Sequence, residues 1–167
     1  MKVFYKNSWT IINQVTAILL KLNFSNLTIS RILIFLSTYL YFLGIFFIIK
    51  SITKKLFLAF TLSFFFIFFR KYLGHLDYPT LIFDQLTWGV MSSSLITFIF
   101  GLLFNKSLFL AGFFLAILIA AHILVGLWLI LIIIVSLIIY NFYNKIFFYK
   151  NIIFGFCLGL PITLISF

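Results

Sequence analysis

Both carboxylates of the chain, Asp77 and Asp84, fall within one twelve-residue stretch, "GHLDYPTLIFDQ", with His75 beside them and no glutamate anywhere. Arg70 and Lys71 lie just before it, and the second histidine, His122, comes much later in an apolar run. This set of residue types suits phosphate chemistry. Two aspartates and a histidine are hard or borderline ligands, able to hold a divalent cation against a phosphate leaving group. Alternatively, one carboxylate is a general base that takes a proton from a sugar hydroxyl, with Asp77 and His75 as the catalytic pair. Arg70 and Lys71 would neutralise a pyrophosphate. Asp84 and His122 would complete the substrate side. The same residues also have a purely structural reading. Asp77 pairs with Arg70 or Lys71, and Asp84 caps a helix opening at Gln85, where a carboxylate satisfies free N–H groups. A bis-histidine haem through His75 and His122 suits the pattern less well, because His75 sits in a loop beside an acid.

Such residues do chemistry only when rigid elements hold them, and composition says what those elements are. The chain is 65% hydrophobic, 22% aromatic and 8% charged, with a mean hydropathy of +1.31. A soluble domain carries about 25% charged residues, so the polar surface needed to cover such a core is missing. The long apolar segments also lack the in–out alternation of a barrel strand. The predicted class is an all-α integral membrane protein, a polytopic helical bundle of about six short spans. A net charge of +10 would suit nucleic acid. However, the twelve basic residues fall between apolar segments, where membrane topology places them, and form no face that tracks phosphates. Membrane lipid, and not nucleic acid, is the expected partner. The lone Cys157 lies in an apolar run and reads as a small apolar filler.

Residues 1–31 form an N-terminal segment. Within it, residues 9–22 put Ile11, Ile12, Val15, Ile18, Leu19 and Leu22 on one helical face, with Asn13, Gln14 and Lys21 elsewhere. Ser8 is the expected cap. That pattern predicts an amphipathic helix lying in the membrane interface, since a spanning helix would bury its polar residues. Residues 32–167 are then the transmembrane domain. Its first span is Ile32–Ile49, followed by a short basic loop from Lys50 to Lys55. The second, Leu56–Phe69, holds 14 residues before Arg70. At roughly 21 Å it is short of the roughly 30 Å hydrocarbon core. Either its basic flanks snorkel or the helix runs past them. The third span covers Leu86–Phe104 and ends in a tight "NKS" turn. Leu108–Tyr140 is apolar throughout, and as one helix would be about 50 Å long. It is therefore expected to break near His122–Gly126 into a hairpin, which brings His122 to the membrane face carrying His75, Asp77 and Asp84. The last span is Asn151–Phe167, kinked at Pro161. The chain stops without a polar tail, which suggests a truncated reading frame.

Small residues recur at four-residue intervals as Gly89, Ser93, Thr97 and Gly101, and again as Gly112, Ala116 and Ala120. Joined by the "NKS" turn, these two stripes are expected to face each other. Gly155 and Gly159 form a GxxxG through which a further helix would pack. Basic residues divide equally between the two membrane sides. The compact 50–55 loop tilts the topology to a cytoplasmic loop and an extracytoplasmic acidic segment.

A short apolar helix ending in Arg70, followed by Gly74, Asp77 and Tyr78, resembles the first extracytoplasmic loop of bacterial polysaccharide polymerases of the EpsG and O-antigen-polymerase type. "AAHILVGLWLIL" resembles the short helix pair with a histidine at its turn in glycan-handling membrane proteins, GT-C glycosyltransferases among them. The resemblance implies assembly of cell-surface glycan from polyprenyl-linked sugars in the bacterial cytoplasmic membrane, with the loop Asp and Arg near the diphosphate or acceptor. The pattern differs in having His75 and Leu76 between Gly74 and Asp77, where one residue is expected, and six spans where such proteins have eight or more. A non-catalytic membrane subunit or a small transporter is the alternative.

Overall fold

The structure, a computed structural model, describes residues 10–73, 88–144 and 149–166. Every regular element among them is helical: α1 (Ile11–Lys21), α2 (Asn26–Thr53), α3 (Leu56–Leu73), α4 (Trp88–Phe104), α5 (Leu108–Ala121), α6 (Ile123–Asn144) and α7 (Tyr149–Ile165). They form two compact units. One contains α5, α6, α7 and α1 up to Ile18; the other contains the rest of α1 with α2, α3 and α4.

The expected helices are present, with shifted ends. α2 begins at Asn26, ahead of Ile32, because Ser25 accepts a hydrogen bond from the Thr28 N–H at 3.1 Å and caps the first turn. At its other end Lys50–Thr53 remain helical, so the basic loop shrinks to Lys54 and Lys55. α3 does not stop at Phe69. It runs through Arg70 and Lys71 to Leu73, which lengthens this short element to 18 residues, about 27 Å. Two stretches, Asn26–Thr53 and Ile123–Tyr140, are long and apolar enough to cross a membrane. α4, α5 and α7, at 17, 14 and 17 residues, reach only about 21–26 Å. Among the described residues, six helices lie where spans were expected, and two of them contain a stretch long and apolar enough to cross a membrane.

Within the second unit α2 packs on both α3 and α4. The α2–α3 contact includes an edge-to-face pair, Phe42 and Phe60, with centroids 5.6 Å apart. The α2–α4 contact is closer, because a Cβ added to Gly44 would lie 2.5 Å from the Thr97 carbonyl carbon. One added to Gly101 would lie 2.8 Å from the Gly44 Cα. Around this crossing Ser37 and Ser94 are wholly buried, and each hydroxyl donates to a carbonyl of its own helix, Ile34 O and Val90 O. They therefore act as small, internally satisfied side chains in an apolar interface.

The first unit is built on α5 and α7, its most extensively packed pair. Gly112 lies against the Ile152 carbonyl and Gly155 against the Phe109 carbonyl, neither leaving room for a Cβ. Farther along, a Cβ on Gly159 would meet the Ala116 Cβ at 2.6 Å. Thr163 then donates across the interface to the Ala116 carbonyl at 2.9 Å. Positions on both helices rise together (109 with 155, 113 with 159, 116 with 163), so α5 and α7 run parallel. Pro161 lies inside α7.

Two expectations are corrected here. Each small-residue stripe is covered within its own unit: Thr97 and Gly101 by α2, Gly112 and Ala116 by α7. The reason is complementarity, since Gly44, Gly155 and Gly159 offer matching flat surfaces that a neighbouring bulky face cannot. Cys157 is exposed and fills no core.

α1 keeps its amphipathic pattern, but its polar side has a partner. Asn13 is buried, and the Gln14 amide donates to the Ile165 carbonyl at 3.0 Å, satisfying an end group of α7. Val15, Ile18 and Leu22 are left exposed. Gly155→Ala is expected to lower stability by roughly 1–3 kcal/mol, because its methyl would overlap backbone and not a flexible side chain. Gly89→Ala, at an exposed position, is the control. Unfolding of both in mixed micelles by SDS titration checks this, and equal midpoints would refute the packing argument.

Candidate functional site

His122 is the one predicted site residue whose local backbone and burial are both described, and it forms the corner between α5 and α6. Its N–H donates to the Leu118 carbonyl at 2.8 Å, as the last bond of α5. Its own carbonyl accepts from the Gly126 N–H at 2.9 Å, as the first bond of α6. With φ −155° and ψ 96° the residue itself is extended. One residue thus separates two helices, and the long apolar run breaks where the sequence predicts.

No proline lies here, and the break has another cause. Gly126 sits directly against Ile119: a Cβ there would be 2.6 Å from the Ile119 Cγ1 and 2.8 Å from its Cα. In an uninterrupted helix these residues would be about 10 Å apart along the axis. The bare backbone at 126 therefore allows α6 to fold back on the last turns of α5, where Ala120 and Ala121 are buried and small. The parallel course of α5 and α7 agrees with this, because α6 must make the return between them. His122 itself is half-buried at the corner.

Arg70 and Lys71 are consecutive residues in the last turn of α3. They belong to one compact unit and His122 to the other. His75, Asp77, Tyr78 and Asp84 lie outside the described residues, as does Gln85, where Asp84 was expected to cap a helix. Both acidic residues are therefore outside, and no group of three or more His, Cys, Asp or Glu side chains able to hold a metal occurs among the described residues. The divalent-cation reading rests on His75, Asp77 and Asp84 together.

Sequence reasoning placed the corner correctly but missed what makes it. Gly126, four residues after His122, was the available signal, since a lone glycine inside an apolar run marks a close backbone approach. Gly126→Leu should lower the unfolding midpoint in detergent by the equivalent of roughly 1–3 kcal/mol, whereas Leu127→Ala, half-exposed beside it, should change it little. Equal midpoints for the two variants would remove Gly126 as the cause of the corner.

Comparison of the chain with protein-family models, with curated proteins and with solved structures finds no match.

Proposed function

We propose that this chain is a multi-pass protein of the bacterial cytoplasmic membrane with about six spans. It acts in cell-surface glycan assembly as a glycosyltransferase- or polymerase-like protein on polyprenyl-linked sugars at the extracytoplasmic face. What supports membrane residence is the outward character of its longest apolar elements. In the Ile123–Tyr140 stretch only 17% of residues are buried, the reverse of a soluble core helix. Its exposed side chains include Leu127, Trp128, Leu131 and Ile138, a surface that suits hydrocarbon. α1 fits the same reading: with Asn13 buried and the half-buried Gln14 bonded to Ile165 O, Val15, Ile18 and Leu22 are exposed for the interface.

The observation that carries the glycan reading is the confinement of all acidic chemistry to the segment between α3 and α4, preceded by Arg70 and Lys71. In this reading Asp77 and His75 handle the proton of the acceptor hydroxyl. Arg70 and Lys71 meet the diphosphate, while Tyr78, Asp84 and His122 orient the sugar. Alternatively, His75, Asp77 and Asp84 would hold a divalent cation that neutralises the leaving phosphate, and would then act as its ligands in place of the base. The alternative, a non-catalytic subunit or small transporter, gains little from the spans. α2 has no acidic, basic or histidine residue between Arg31 and Lys50, and the Ile123–Tyr140 stretch has none at all. That counts against ion or proton coupling through them.

Asp77→Asn is expected to abolish surface polysaccharide in the native host while leaving the protein level in the membrane unchanged; Asp84→Asn separates the capping role. Normal glycan from both variants would end the catalytic reading, and loss of the protein itself would favour the structural one. Topology gives an independent check. With Cys157 replaced, Asp77→Cys and His122→Cys should both react with a membrane-impermeant thiol reagent added from the same side. Reaction from opposite sides would dissolve the proposed constellation.

A further inference from the structure

Between α6 and the α5–α7 pair lies a cleft of about 390 Å³, lined by Leu115 of α5, Ile130, Ile134 and Leu137 of α6, and Tyr149 and Ile153 of α7, among other apolar side chains. All of these residues belong to one compact unit. The cleft exists because α6 is held to α5 at the Gly126 corner, yet beyond it, among the described residues, α6 buries only Leu129 and Ile133 as apolar side chains.

We propose that this cleft holds one acyl chain of an anionic phospholipid. The proposal rests on the membrane reading above, and it concerns a different part of the molecule from the acidic segment. Three observations select the occupant. The wall is hydrocarbon except at Tyr149, so neither a polar metabolite nor water finds partners along it. The volume suits one small ligand or chain, since ligand pockets run from about 300 to 1,000 Å³.

The third observation is charge. Lys150 is exposed, adjacent to Tyr149 and three residues from Ile153, which places it on the same flank of α7 at the cleft's Tyr149 end. The chain carries +10 overall, and both of its carboxylates lie in the segment between α3 and α4. An anionic headgroup held at Lys150 therefore completes what the hydrocarbon slot begins.

The test is native mass spectrometry of the full chain in mild detergent, titrated with phosphatidylglycerol or phosphatidylcholine. Membrane residence of every variant is checked first by resistance to carbonate extraction. The wild type should retain one phosphatidylglycerol per chain, about fivefold in preference to phosphatidylcholine, the scale of a single lysine–headgroup attraction. Ile153→Trp, at a half-exposed lining position, should abolish retention by filling the slot. Lys150→Gln should keep the lipid but lose the preference. Leu131→Trp, exposed and outside the lining, should match the wild type. Equal retention by Ile153→Trp and wild type overturns the proposal. So does equal binding of both lipids by the wild type, or retention of a second chain or an isoprenoid lipid in place of the phospholipid. A membrane-resident chain that retains no phosphatidylglycerol refutes the cleft alone; a chain recovered in the soluble fraction refutes the membrane reading with it.

Discussion

Close approach of helix backbones is the constraint on which the rest of this structure depends. Where two helices meet through glycine, cohesion comes from dispersion across flat surfaces and from hydrogen bonds that bare backbones allow. Gly44 and Gly101 create one such surface; Gly112, Gly155 and Gly159 create another. Gly126 creates the third, at the corner between α5 and α6. The same contacts explain a division of labour. None of the described glycines has a positive φ, and the left-handed positions at helix ends fall to Asn23, Lys54 and Lys106. Here glycine is used for its missing Cβ and not for its backbone freedom.

Polar groups follow the same logic. Serine and threonine hydroxyls inside the helices mostly bond back to their own turn, as at Ser63 to Ala59 O (2.6 Å) and Thr97 to Ser93 O (2.8 Å). Thr163 is different: its bond to Ala116 ties two helices together where they already touch. Gln14 does the corresponding work at the end of α7. These hydrogen-bonded hydroxyls are therefore part of the packing. His122 occupies a corner, and Arg70 and Lys71 occupy a helix end.

How much was legible beforehand depended on the range of the interaction. Helix class and approximate limits came from apolar run length and from local caps such as Ser25, which act within a few residues. The break at His122 followed from a length argument, because no helix of 33 apolar residues suits one crossing. Partner choice was not legible in the same way. A small-residue stripe states that a backbone will come close but not which one: α2 supplies it for α4, and α7 for α5. The candidate site was legible only as a list of residue types. Asp77 and Asp84 stand out by composition, and their geometry with His122 is a matter for the topology experiment.

By itself, the sequence determined that the chain is helical and strongly apolar, that its acidic chemistry is confined to one segment, and that a break is expected near His122. These are consequences of composition and of periods within single segments. Only the tertiary structure decided that α2 covers α4, that α7 covers α5 in parallel, and that Ile119 accepts Gly126. It also decided that Asn13 is buried, that Gln14 bonds to the end of α7 and that a cleft opens beside Tyr149. Each of these depends on matching two surfaces distant in sequence, and that match is a property of the folded pair and not of either segment alone.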